Sequence, residues 1–345
     1  MSDPIVSVVM ITHNHREYIS QAIECVLRQE TNFPFELVIG EDCSTDGTRD
    51  IVFDYHRRYP AIVRVVTSER NVGMNANVLR TERACRGKYI AYCEGDDYWH
   101  NPHKLQMQVD YLEHNPHYGM VHSDADIEYV AHNHVIRASH RTTGTVHTDG
   151  DNQFFRILEG RFGSIFTCTV CARRDLVDAI VSQNPELGDD RFRMGDTPRW
   201  LELSRVTVIG YIDKSLATHR VLVESAAHSK DTQKKRAFIE SVREMREHYC
   251  TKYNVPEPTR RLALVSCYNR LLRLAFVSGD QTIAIYAKRG LNSLSRSLTL
   301  SQVALYYSVR YRLLRLITRA FCGMNGIVSR HPRLHHYLAT RGLCD

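Results

Sequence analysis

Three carboxylates stand within four residues at Glu94-Gly95-Asp96-Asp97. Carboxylates this close repel one another, and burying them without compensation is costly. Two readings stand: a solvated acidic turn that binds nothing, or a divalent-cation site whose ion relieves the crowding. Oxygen ligands suit magnesium or manganese. The flanks favour the cation site, because apolar Tyr89 to Cys93 precedes the turn and Tyr98-Trp99 follows it. Gly95 keeps the turn tight and lets a ligand approach the backbone. Glu94 and Asp96, two apart, share a face if the segment is extended.

Other candidates are spread along the chain. Asp42 follows Glu41 at the end of another apolar run, where a carboxylate can accept a base N–H. In the same Asp42 to Thr48 stretch, Asp46 and Ser44 read as turn or helix-cap residues. In Arg70-Asn71-Val72-Gly73, Arg70 suits a phosphate or an acidic partner. Asp196, in Gly195-Asp196-Thr197-Pro198, is either a helix cap or, if its loop returns to the site, a general base. Asp189 and Asp190 compete for that role, and spacing does not rank the three. His219 could reach a metal or a diphosphate, and Arg220 could offset leaving-group charge. Both are equally readable as surface residues, since 18 histidines leave a lone one little meaning.

These residues need a scaffold. Apolar, β-branched runs at Ile5 to Thr12, Phe35 to Glu41, Ile62 to Thr67, Tyr89 to Cys93 and Gly119 to Ser123 read as buried strands. Helical spacing marks Arg16 to Arg28, Thr48 to Tyr59, Asn75 to Ala84 and His103 to Leu112. Strands alternating with helices predict an α/β fold, a mostly parallel central sheet flanked by helices. Ligands in such folds bind beyond the carboxyl ends of strands. The polar clusters Thr12 to His15, Glu41 to Asp46 and Glu94 to Asp97 all fall there. Phe166 to Ala172 reads as a strand with Cys168 and Cys171 on opposite faces. Residues 132–151 read as a polar loop, Val206 to Ile212 as a mixed or strand-like element, and Ser225 to His248 as a charged helix. Pro256 and Pro258 mark a boundary.

Composition bounds the rest. The chain has 345 residues, 43% hydrophobic and 24% charged, enough for one large domain with an appendage or two modest ones. Residues 259–345 carry 14 Lys/Arg against 2 Asp/Glu, a local charge of +12, so the whole-chain +6 leaves −6 for residues 1–258. The basic character belongs to the tail. Its segments Arg261 to Phe276 and Gln302 to Phe321 mix Leu, Val and Tyr with arginine, which suits a basic amphipathic helix on an anionic membrane surface better than a membrane span. A helical cap with an arginine-rich solvent face is the plainer alternative. The apolar run at the N-terminus is too short for a span and lacks a basic lead, and the 10 cysteines are scattered, with Cys168 and Cys171 the one C-x-x-C spacing, inside a strand-like run. The expected setting is cytoplasmic, with peripheral contact at the inner face of the plasma membrane as an option.

The series VSVVMITHNHREYISQAIECVL, EDCSTDGT, ERNVGMNANVLR and GKYIAYCEGDDYW resembles the family-2 inverting glycosyltransferases with the GT-A fold, of the bacterial cell-surface polysaccharide type. The likeness is strong to about residue 125 and moderate to about residue 220. It implies a GT-A nucleotide-diphospho-sugar transferase fold with a catalytic domain over residues 1–225; the last hundred residues share no such likeness, and composition and spacing read 226–345 as a mainly helical basic C-terminal extension. The likeness implies a nucleotide-sugar donor, with UDP favoured, Mn2+ or Mg2+, and a glycan or lipid-linked acceptor. By the same likeness Thr12 and Asn14 line the nucleotide pocket and Asp42 contacts the base; the residues themselves add Arg70, Asn71 and Arg220 to the donor-binding candidates. Glu94, Gly95 and Asp96 stand at the family's DxD element, so Asp96 and Glu94 are metal ligands with His219 a third candidate. Asp196 stands at the base, although the usual preceding glutamate is Gly195 here.

Alternatives fare less well. A nucleotidyltransferase needs a Gly-rich basic loop near the N-terminus, where only His15 and Arg16 occur. A dehydrogenase lacks its G-x-G-x-x-G after the first strand. A nucleic-acid module conflicts with the acidic body. A non-catalytic nucleotide-sugar or glycan binder remains open.

Overall fold

The computed structural model describes residues 3–145, 153–161, 165–188, 191–222, 231–295 and 297–311. The α/β part runs β1 (Val6–Thr12), α1 (Ile19–Leu27), β2 (Phe35–Glu41), α2 (Thr48–Arg58), β3 (Val63–Thr67), α3 (Met74–Arg83), β4 (Tyr89–Tyr92), β5 (Tyr98–Trp99) and α4 (Lys104–His114). It continues with β6 (Tyr118–Tyr129), β7 (His134–Ile136), α5 (Ser139–Thr143), α6 (Gln153–Glu159), β8 (Cys171–Arg173), α7 (Arg174–Gln183), α8 (Asp196–Val206) and β9 (Val208–Val221). Four helices follow: α9 (Thr232–Lys252), α10 (Glu257–Ser278), α11 (Gln281–Leu294) and α12 (Leu300–Arg310). The chain divides into two compact units, the first reaching Val221 apart from two short segments and the second dominated by residues from Leu222 onward.

The strands form one sheet in the order β3-β2-β1-β4-β8-β6-β9-β5, with β7 added on β6. The β3-β2-β1-β4 half is entirely parallel, as is the long β6–β9 pair. β8, β7 and β5 pair antiparallel with their neighbours. Val8, Met10, Leu37 and Ile39 are fully buried against Ile19, Ile23 and Val26 of α1. Each such aliphatic side chain contributes about 1.5–3 kcal/mol by leaving water. Parallel register does the positioning, because Thr12 pairs with Glu41 and Glu41 with Thr67. Three polar residues therefore share one carboxyl edge. The acidic turn joins the same edge through Gly95 N–H, which donates to the Ile11 carbonyl at 2.9 Å.

Several local expectations change. Residues Thr167–Thr169 form a 3-10 turn before β8, and this breaks the two-residue alternation. Cys168 and Cys171 consequently enter the same core rather than opposite faces. Described residues of the expected 132–151 loop include β7, paired with β6, and α5. The strands at 119 and 206 run on to Tyr129 and Val221 because they pair along most of their length. The charged helix begins at Thr232, where Asp231 caps Gln233 N and Lys234 N, and residues 223–230 lie outside the described set.

In the second unit α10 packs against α9, α11 and α12, burying Leu264, Cys267, Leu271 and Ala275 at helical spacing. Pro256 and Pro258 stand at its start, and Gly279 ends it with φ 78°, a left-handed stop suited to glycine. Among the described residues no helix is long and apolar enough to cross a membrane. The part of the basic segment beyond Tyr311 lies outside the described residues.

Candidate active site

The acidic segment is a tight turn, closed by Asp97 N–H donating to the Glu94 carbonyl at 3.0 Å. Glu94 and Asp96 are therefore placed by a turn and not by extended alternation. Gly95 is required by contact: a Cβ there would lie 2.7 Å from Thr12 Oγ1 and 3.0 Å from His15 Nδ1. Both of those atoms are buried without a hydrogen-bond partner. His15 Nε2 lies 3.9 Å from Asp96 Oδ2.

Asp97 is the buried anchor. Its carboxylate accepts from the Arg220 backbone N–H at 2.7 Å and sits 3.2 Å from His219 Nδ1. This pairing aims His219 from β9 at the acidic turn. Burial alone would lower the His219 pKa, but Asp97, Glu94 and Asp96 outweigh it and raise it to about 9. Burial, then Asp97, Asp96 and Asp196, push Glu94 well above the usual carboxylate range, with His219 opposing. Burial and Asp97 raise Asp96, opposed by His15 and His219. Four carboxylates thus act on one small region.

Asp196 is the first residue of α8. Its Oδ1 accepts from Thr197 N–H at 2.6 Å and from the Thr197 hydroxyl at 3.2 Å, and among the described residues Oδ2 has no hydrogen-bond partner. The residue is thus both a helix-start acceptor and a cleft residue. It lines a mostly apolar cleft together with Glu94, Met74, Tyr92, Arg199 and Trp200. Asp189 and Asp190 lie outside the described residues.

The nucleotide-side candidates are arranged differently. Asp42 is buried, and its two oxygens accept from Val72 N–H at 2.9 Å and Gly73 N–H at 3.0 Å, with Arg80 3.4 Å away. It holds the 70–73 turn against β2. Asn71 Oδ1 accepts from the Gly73 N–H, while Arg70 is exposed. Asn14, at φ 57°, accepts from Thr45 N–H at 2.9 Å on its Oδ1, and its backbone N–H donates to Ser44 Oγ at 3.0 Å. Asp46 caps α2 through Thr48.

Arg220 departs from expectation. Its Nε donates to Glu128 at 3.1 Å, Nη1 to the Asp96 carbonyl at 2.9 Å and Nη2 to Gln21. Its guanidinium lies over the Tyr98 ring at 4.4 Å. It braces the acidic turn from within and is 6% exposed. Sequence reasoning counted Asp97 in the acidic turn without its anchoring role, and gave His15, Glu82 and Arg199 no place in the site. His15 carried a signal, following Asn14 at a strand end. The 117-residue separation of Glu82 and Arg199 carried none.

Residues 7–172 match the family model described as Glycosyl transferase family 2. That segment belongs to glycosyl transferase family 2. An uncharacterized protein of Mycobacterium tuberculosis is 44% identical over 110 residues, 32% of each chain. The putative teichuronic acid biosynthesis glycosyltransferase TuaG of Bacillus subtilis is 35% identical over 109 residues, 32% of this chain and 42% of that one. The matches thus span a third to two-fifths of those relatives' lengths. Among solved structures, S. aureus TarS 1–349 in complex with UDP-GlcNAc superposes with TM-score 0.50 at 15% identity, covering 88% of this chain and 91% of that one. The mannosyltransferase PcManGT from Pyrobaculum calidifontis, in complex with GDP-Man and Mn2+, gives 0.52 at 16% identity, covering 92% and 84%. At such identity the likeness is one of fold, and it is the fold of glycosyltransferases.

Proposed function

We propose that the chain is a metal-dependent inverting glycosyltransferase, moving a sugar from a nucleotide diphosphate, UDP favoured, to a hydroxyl of a glycan or lipid-linked acceptor in surface polysaccharide synthesis. The observation that carries this reading is the shared cleft of Glu94 and Asp196, with Asp96, Asp97 and His219 acting on the same region. The membership of residues 7–172 in a glycosyltransferase family supports it.

The donor set fits a divalent cation. Glu94 and Asp96 offer carboxylate oxygens whose mutual repulsion such an ion would relieve, and His219 is held close by Asp97. Among the described residues no three ligand side chains already converge on one point. That suits Mn2+ or Mg2+ taking one or two carboxylates and completing its shell from phosphates and water. When bound, the ion neutralises charge on a departing diphosphate.

The chain's own residues supply the rest. Asp196 Oδ2 takes the proton of the acceptor hydroxyl as its oxygen attacks the anomeric carbon. The bond to the diphosphate oxygen breaks on the opposite face, and the configuration inverts. Thr12, Asn14, Asp42, Arg70 and Asn71 form the nucleotide side, Asp42 through the turn it holds. We assign catalysis to residues 1–225 and take the basic C-terminal region, residues 226–345, as a peripheral contact with anionic membrane.

The test pairs two variants. Asp96→Asn should abolish manganese-dependent binding of UDP-sugars in calorimetry. Asp196→Asn should keep that binding while transfer falls about 100- to 10,000-fold, the usual worth of a general base. Wild-type donor affinity in the first variant removes the metal assignment, and unchanged turnover in the second moves the base elsewhere. Binding without any transfer by the wild-type chain would favour a non-catalytic binder.

A further inference from the structure

A buried ion pair lies beside the cleft and has no part in the steps above. Glu82 of α3 and Arg199 of α8 are each 3% exposed, with Arg199 Nε 3.4 Å from Glu82 Oε1. The Tyr92 hydroxyl donates to the same glutamate oxygen at 2.9 Å, and Arg199 Nη1 donates to the Gly195 carbonyl at 2.8 Å. The guanidinium is thereby tied to α3, β4 and the start of α8. A charged pair in such a place is expensive relative to apolar residues of the same volume. Its donors are also incompletely used. Among the described residues, Arg199 Nη2 and Trp200 Nε1 are buried without a hydrogen-bond partner, and the Nε contact to Glu82 lacks hydrogen-bond geometry. Arg199 and Trp200 both line the cleft that holds Glu94 and Asp196.

The chemistry of the walls selects a ligand class. An anion placed there would meet Glu94 and Asp196. A purely apolar group would leave two buried N–H donors stranded, which is costly. A polyol satisfies both, since each hydroxyl accepts from an N–H and donates to a carboxylate. Val9, Ile11, Val78 and the Trp200 ring offer apolar surface to its C–H faces. The cleft extends from the acidic turn to Met74, the residue after the 70–73 turn that Asp42 holds. A group hanging from a diphosphate at the acidic turn enters here first.

We propose that Arg199 and Trp200 are specificity-determining residues, the polar floor of the subsite for the sugar carried on the nucleotide, with Glu82 as the positioning residue that holds Arg199 toward it. The inference rests on the donor reading above and adds which side chains recognise the sugar.

The experiment measures the affinity added by the sugar. Calorimetry with manganese compares UDP with UDP-glucose and UDP-N-acetylglucosamine, and GDP with GDP-mannose. In the wild-type chain one sugar nucleotide should bind at least about tenfold tighter than its own diphosphate. Because Arg199→Met alone strands the Glu82 charge, the main variant is the double change Glu82→Gln with Arg199→Met. It should lose that increment while the diphosphate affinity stays within about twofold. Trp200→Phe, which removes the indole N–H together with part of the ring, should lose part of the increment, about three- to tenfold, and provides the answer if the double variant does not fold. An increment that survives in these variants, or its absence from the wild type for all three sugars, overturns the subsite while leaving diphosphate binding intact. A wild-type chain that binds neither UDP nor GDP overturns the donor reading, and the subsite with it.

Discussion

Replacing Lys104 by Met tests the interior that supports the site. Lys104 is fully buried, its Nζ donating to Gln108 Oε1 at 2.6 Å and lying 4.1 Å from the Trp99 ring centre. Burial lowers its pKa from 10.5 to about 8, with the nearby thiols of Cys171, Cys93, Cys168 and Cys25 opposing weakly. That difference corresponds to about 3 kcal/mol of penalty for carrying the charge in the folded state. The penalty is complete below pH 8. Between pH 8 and about 10.5 the unfolded chain holds a proton that the folded chain has released, so the lysine's contribution to stability rises with pH. In the Met variant the penalty disappears, but Gln108 loses its donor and Trp99 its cation, losses of about 1–3 and about 2 kcal/mol. Near pH 7 the two proteins should therefore be of similar stability. At pH 9.5 the wild type should be ahead by about 2 kcal/mol relative to its standing at pH 7. Burial raises the Cys93, Cys168 and Cys171 thiols in both proteins, so these thiols enter the difference only through their coupling to Lys104. Urea unfolding at the two pH values reads it. A difference that does not change with pH would show that Lys104 is solvated, and its burial at the start of α4 would be wrong.

Two further outcomes are expected. Burial would raise the Glu36 pKa, but hydrogen bonds from Arg86, Ser7 and Arg64 outweigh it and hold it below the usual range. The stability it contributes should be present above the ordinary glutamate pKa and be lost as pH falls through the lowered folded value. Glu36→Gln should cost several kcal/mol at pH 7 and flatten that acid limb in denaturation curves, and an unchanged limb would refute it. For the basic tail, the full chain should bind phosphatidylglycerol vesicles in sedimentation assays, with binding falling steeply from low to physiological salt. Equal binding to neutral vesicles would dismiss the electrostatic contact.

Much of this architecture was legible along the chain. Runs such as Val6–Thr12 and Phe35–Glu41 are apolar on both faces, which only a doubly covered strand can satisfy, and helical spacing located α1 to α4 to within a few residues. The turn Glu94 to Asp97 announced itself because three like charges in four residues demand an explanation of their own. These are local properties, decided by periodicity and by charge density between near neighbours.

What the linear order withheld were relations between distant residues. The break in alternation at Thr167–Thr169 depends on Trp99 Nε1 and Gln108 Nε2 seizing the carbonyls of Cys168 and Thr169. Arg220 looks like any exposed arginine until Glu128, Gln21 and the Asp96 carbonyl are seen to surround it. Glu82 and Arg199 meet only because α3 and α8 are brought together beside the cleft. A side chain's role there is set by which partners reach it and how much water they exclude, and neither quantity exists before the chain has closed on itself.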